Sequence, residues 1–96
     1  MINLSESNGR LIWFAGVAGA FSALPSESLD ACMKWIAPKL FEREIDFRIY
    51  TDDSYYFCQL YKRFTSRIIA DSAVGVETAS EAFCLAVDKY LREESK

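Results

Sequence analysis

Histidine is absent from this sequence. Its absence removes the commonest general acid/base, the usual metal ligand and the middle member of Ser-His-Asp and Cys-His arrangements. Cysteine is scarce and unpaired in spacing: Cys32, Cys58 and Cys84 form no C-x-x-C pair. Three such residues give neither a disulfide framework nor a thiolate metal site, and they suit a reducing, cytoplasmic compartment in which each is a small buried apolar group. No apolar run is long enough to span a bilayer, since the longest, residues 11–21, falls short of the roughly 20 residues a membrane helix needs. The same run makes a poor signal-peptide core, because Glu6 and a single Arg10 precede it. It is read as a structural segment. Charge of one sign is also lacking. With 14 acidic against 11 basic residues the net charge is −3, too mild for a strong field and of the wrong sign for gripping phosphates without a local basic patch.

What is present is core material. Of 96 residues 51% are apolar and 15% aromatic, enough for one filled core in a single domain spanning the whole chain, residues 1–96. The opening, residues 1–9, is polar. The apolar run that follows has the length and alanine content of a buried helix, although Gly16 and Gly19 each cost about 1 kcal/mol there; the rival is a buried strand over residues 10–14. Ser26 is placed as the N-cap of a second helix with Glu27 and Asp30 in its first turn. Leu29, Cys32, Met33, Ile36 and Leu40 make its apolar stripe, and Pro38 predicts a kink or end near Ala37.

From Glu44 the period becomes two, with Ile45, Phe47 and Ile49 on one side and Glu44, Asp46, Arg48 and Tyr50 on the other. Thr51-Asp52-Asp53-Ser54 reads as a four-residue hairpin loop, after which residues 55–63 resume with high β propensity. Residues 67–70, with Ala73 and Val74, are candidates for a third strand. Thr78-Ala79-Ser80-Glu81 matches a capping box and opens a helix over about residues 79–93. Ala82, Phe83, Ala86, Val87, Tyr90 and Leu91 form its apolar side, leaving Asp88, Arg92 and Lys96 for solvent. The pattern implies an α+β fold, with two or three helices packed on a two- to three-stranded antiparallel sheet.

Catalytic material is limited to carboxylates. Asp52 and Asp53 are adjacent in a turn and point apart, and with Asp71 they lack the spaced ligands and glycine of a calcium loop. Gly16-x-x-Gly19 has neither the strand nor the lysine of a phosphate loop. No catalytic residue, metal site or cofactor is expected, and the chain is read as a non-enzyme. Two stretches suit recognition instead. Glu44, Asp46, Asp52 and Asp53 supply a row of negative groups, and Tyr55, Tyr61, Lys62 and Arg63, followed by Arg67, interleave aromatics with cations. Tyr and Arg are enriched where interfaces carry their energy.

The order helix, hairpin, strand, capped helix resembles small phage-encoded helix–sheet–helix sandwich proteins over about residues 25–91. Ser28-Leu29-Asp30-Ala31-Cys32 and the stretch from Thr78 through Ser80, Glu81 and Phe83 to Ala86 carry that likeness, and no functional residue is transferred by it. In size, acidity and lack of catalytic groups the chain is similar to anti-CRISPR proteins. The resemblance implies a stoichiometric inhibitor or adaptor that binds a protein partner in a host nucleic-acid-defence complex. Two alternatives stand beside it: a nucleic-acid-binding module using Tyr55, Tyr61, Lys62, Arg63 and Arg67, and a structural subunit assembling through residues 11–21. A homodimer is compatible with the first reading, and no membrane partner is expected.

Overall fold

A computed structural model describes residues 4–94, and it shows an α+β fold of three helices on a three-stranded antiparallel sheet. Helix α1 spans Ser5–Ala15. It begins within the polar opening, before the apolar run, because two of its polar side chains are buried rather than solvated. Asn8 Oδ1 accepts from the Ser26 N–H at 2.9 Å, and Asn8 Nδ2 donates to Ser26 Oγ at 2.8 Å. Gly16 ends the helix at φ 70°, donating its N–H to the carbonyls of Ile12 and Trp13; that left-handed position favours glycine. Leu11, Phe14 and Ala15 are buried in the molecule's own core.

Ser26 is not the cap of the second helix. It lies in the 3-10 turn Pro25–Glu27, and Ser28 takes the capping role, its hydroxyl accepting from the Ala31 N–H at 3.1 Å. Helix α2 then runs through three consecutive segments, Leu29–Ala31, Cys32–Ile36 and Ala37–Glu42. The middle segment is π-helical, with the Ala37 N–H reaching back five residues to the Cys32 carbonyl. One extra residue in the turn before Pro38 accommodates a ring that an α-helical ladder cannot, so the helix continues to Glu42 instead of ending at Ala37. Cys32, Ile36 and Leu40 of the expected stripe are buried, Met33 is half-buried, and Leu29 stays exposed.

Strands β1 (Ile45–Asp52), β2 (Tyr55–Lys62) and β3 (Ile68–Asp71) lie in the order β1-β2-β3. Asp52 pairs with Tyr55, so the first loop has two residues, not four. Asp53 and Ser54 both adopt positive φ, 52° and 70°, the primed turn whose twist matches that of the flanking strands. A register shift between Leu60 and Tyr61 marks a bulge against β3. Ala73 and Val74 fall outside β3, and Val76 makes an isolated bridge to Tyr56.

Helix α3 spans Ala79–Glu94, as the capping box implies, with Thr78 Oγ1 accepting from the Glu81 N–H at 3.1 Å. It is central. Phe83, Ala86 and Val87 are fully buried, and the Phe83 ring meets Phe47 of β1 edge-on at 4.9 Å. The sheet covers one side of α3 and α1 covers another, which explains why Asp88, expected in solvent, is only 2% exposed. Lys96 lies outside the described residues. No helix among the described residues is long and apolar enough to cross a membrane.

Candidate recognition surface on the open sheet

Residues paired across an antiparallel ladder share a face of the sheet. On the inner face Phe47 opposes Leu60 and Ile49 opposes Cys58; on the outer face Asp46 opposes Tyr61, Arg48 opposes Gln59, Tyr50 opposes Phe57 and Asp52 opposes Tyr55. All three helices lie on the inner side, so the outer face is open apart from one approach by the following loop. There Gly75 lies so close that a Cβ would stand 2.7 Å from Tyr55 Cβ and 3.0 Å from the Phe57 ring.

The open face is an aromatic ladder set among charges. The rings of Tyr50 and Phe57 stack at 5.4 Å. The Arg48 guanidinium lies 5.2 Å from the Tyr50 ring centre and donates to Gln59 Oε1 at 2.8 Å. At one end of β2 stand Asp52, Asp53 and the exposed Tyr55. At the other end, about 23 Å along an eight-residue strand, stand Tyr61, Lys62, Arg63 and Arg67. Arg63 reaches Asp46 at 3.4 Å, and Lys62 Nζ donates to the Arg43 carbonyl at 3.3 Å. The structure therefore brings Asp46, Tyr61 and Arg63 together and keeps Asp52 and Asp53 apart from them. Glu44 is not a strand residue. It sits in the turn before β1 at φ 61° and is exposed, so it shares no strand face with Asp46.

Three aromatic residues of this surface were not singled out from the sequence. Tyr50 and Phe57 become a pair only through the register of the hairpin, which the two-residue turn sets. Phe64, in the β2–β3 turn, is 88% exposed at φ 77°. For an aromatic residue that backbone is strained, and the ring projects into solvent from the turn that links Arg63 to Arg67. The detectable signal was a bulky apolar residue inside a turn-like stretch, Arg63-Phe64-Thr65-Ser66.

Elsewhere the polar groups are occupied with one another. Asp88 accepts from Ser7 Oγ at 2.8 Å and Arg10 Nη2 at 3.1 Å, and pairs with Arg92 at 3.2 Å. Burial pushes its carboxyl upward, but hydrogen bonds from Arg10 and Ser7 and the charges of Arg10 and Arg92 outweigh burial and hold it below the ordinary carboxylate range. Cys32 donates to the Pro25 carbonyl at 3.0 Å, which leaves its sulfur to accept from Cys84 at 3.7 Å. That contact, then burial, raises the Cys84 thiol, while burial pushes Cys58 up to about 12. Such thiols are poor nucleophiles. The carboxylates do not converge. Asp71 pairs with Gln59, four residues along β2 from Tyr55 and hence about 13 Å from the Asp52 end, and no metal-ligating cluster of three His, Cys, Asp or Glu occurs among the described residues. A groove of about 650 Å³ lies between α1, the Pro25 turn and β2, lined by Leu4, Asn8, Ser26, Tyr55, Gly75 and Glu81; its buried polar pair, Asn8 and Ser26, is mutually satisfied.

Compared with known proteins, the chain matches no family model, no curated protein and no solved structure at significance.

Proposed function

We propose that this chain is a non-catalytic, stoichiometric protein-binding module, an adaptor or inhibitor, that engages its partner through the open face of its sheet. The observation that carries the reading is the ladder of Tyr50, Phe57, Tyr55 and Tyr61, free of helices and met only by the Gly75 loop at Tyr55 and Phe57, flanked by Arg48 and ending at the projecting Phe64. Aromatic and arginine side chains on a rigid scaffold supply large contact area at small entropic cost. The opposite charges of the two hairpin ends would fix a partner's orientation. The resemblance to anti-CRISPR proteins narrows the partner to a phage's host nucleic-acid-defence complex, where the Asp52-Asp53 turn would stand in for phosphates. Cytoplasmic location agrees with three buried thiols, two of them in contact.

The test is capture from host lysate followed by titration with the purified partner. The wild type and Glu93→Gln, altered at an exposed position of α3 outside the aromatic ladder, retain the partner with saturable micromolar affinity, whereas Tyr50→Ala and Phe64→Asn lose it. No saturable partner, or equal capture by all four proteins, removes the reading. The Arg48 contact with Tyr50 favours one second reading, stacking of single-stranded nucleic acid. Asp46, Asp52 and Asp71 weaken it by crowding the same face with negative charge. Its signature is binding to an oligothymidine that falls steeply with salt, and no gel shift at low salt disposes of it.

A further inference from the structure

Among the described residues strand β1 is hydrogen-bonded on one side only. The direction of its free groups follows from its neighbour. In β2 the Tyr56 N–H donates to Val76, the Cys58 carbonyl accepts from Ser72, and the Lys62 N–H donates to Arg67, all on the side away from β1. Alternation then turns Tyr55, Phe57, Gln59 and Tyr61 toward β1, in line with the Arg63 N–H donating to the Glu44 carbonyl at 2.9 Å. Ile45, Phe47, Ile49 and Thr51 accordingly aim their backbone N–H and C=O groups outward.

A free edge of this kind invites pairing unless it is blunted by proline, a bulge, shortness or inward-pointing charge. β1 has none of these; the remaining device, charged side chains along the edge, is present with both signs, so that it selects the pairing register rather than forbidding pairing. It is eight residues long, contains no proline, shows no register shift against β2, and presents Ile45, Phe47 and Ile49 to the core side. Its outer face carries charges of both signs, Asp46, Arg48 and Asp52.

We propose that a second copy of this chain pairs antiparallel along β1, about a two-fold axis at Tyr50. In that register Tyr50 faces its own equivalent as a close, non-hydrogen-bonded pair. Ile49 and Thr51 oppose each other and exchange backbone hydrogen bonds, and Arg48 opposes Asp52 twice by symmetry. The other charge-matched register, about Phe47, sets Asp46 against Arg48 but centres the contact on the half of β1 beside α2, where Phe41 stacks on Phe47 at 6.1 Å. Pairing about Tyr50 uses the half of β1 remote from α2. It joins the two sheets into one of six strands, with both aromatic ladders on one side. The proposal goes beyond the docking reading and does not depend on it, since no other partner is involved.

The experiment is light scattering and sedimentation of the intact chain from about 1 to about 500 µM, the range suited to a small interface. The wild type forms a dimer. Arg48→Asp and Asp52→Arg each weaken it about tenfold or more, since like charges then oppose across the axis. The double variant restores it. Both side chains are exposed, so the variants fold, and circular dichroism and thermal melting verify that they do. A wild type that stays monomeric over the whole range overturns the proposal. So does a single variant that dimerises as well as the wild type, or a double variant that fails to recover.

Discussion

Asp88 is the residue whose environment departs furthest from its sequence context. It is surrounded by Ser7, Arg10 and Arg92, and replacing it strands a partly exposed Arg10 and a buried hydroxyl. Asp88→Asn is therefore expected to cost about 2 kcal/mol at neutral pH, less than removing one member of a fully buried pair. Because the folded-state pKa lies below the unfolded value of roughly 3.9, the contribution is complete above that value. It is lost as pH falls through the folded pKa, where the native carboxylate at last takes up a proton. Urea midpoints should thus separate wild type and variant widely at neutral pH and draw together toward the acid end. Phe64 makes the opposite case, a side chain that contributes little to folding. Its left-handed backbone costs about 1–2 kcal/mol for an ordinary residue, and asparagine tolerates that conformation. Phe64→Asn is expected to leave the melting temperature unchanged or raise it, by up to about 1 kcal/mol of stability. A clear fall in calorimetry would show that the ring packs after all.

At the scale of elements, what could be read from the sequence was what local chemistry decides. The Thr78 to Glu81 capping box located α3, and the alternation of Ile45, Phe47 and Ile49 located β1 and its inner face. Three features escaped because distant residues decide them. Helix α1 starts at Ser5 only because Asn8 finds Ser26 and Ser7 finds Asp88. The hairpin loop is two residues long although Ser54 stands where a primed turn usually has glycine. The π-turn lets α2 pass Pro38. The open face was half legible: Tyr55 and Tyr61 stood out beside their charges, whereas Tyr50 and Phe57 became a stacked pair only once register was fixed. The capping correction carries a direct check. Ser28→Ala should cost about 1 kcal/mol by chemical denaturation, since the Ala31 N–H loses its acceptor.

At the scale of the molecule, the sheet, α3 and α1 form successive layers in which α3 has little surface of its own. The outermost helix is consequently part of the core rather than an appendage, with Leu11 fully buried. Leu11→Ala should destabilise the whole molecule by about 3 kcal/mol. It should do so in one cooperative transition, with fluorescence and circular dichroism falling together. Separate transitions would show that α1 detaches on its own.

The two poles of the hairpin are about 23 Å apart, more than twice the screening distance of about 8 Å in physiological salt. Each pole is thus electrically deaf to the other. For a partner docked on this face as proposed, Asp52→Asn is expected to weaken the grip at the Asp52-Asp53 pole without disturbing that near Arg67, and the combined loss with Arg67→Gln should be the plain sum of the two. Selection acting on such a surface can reshape one contact at a time.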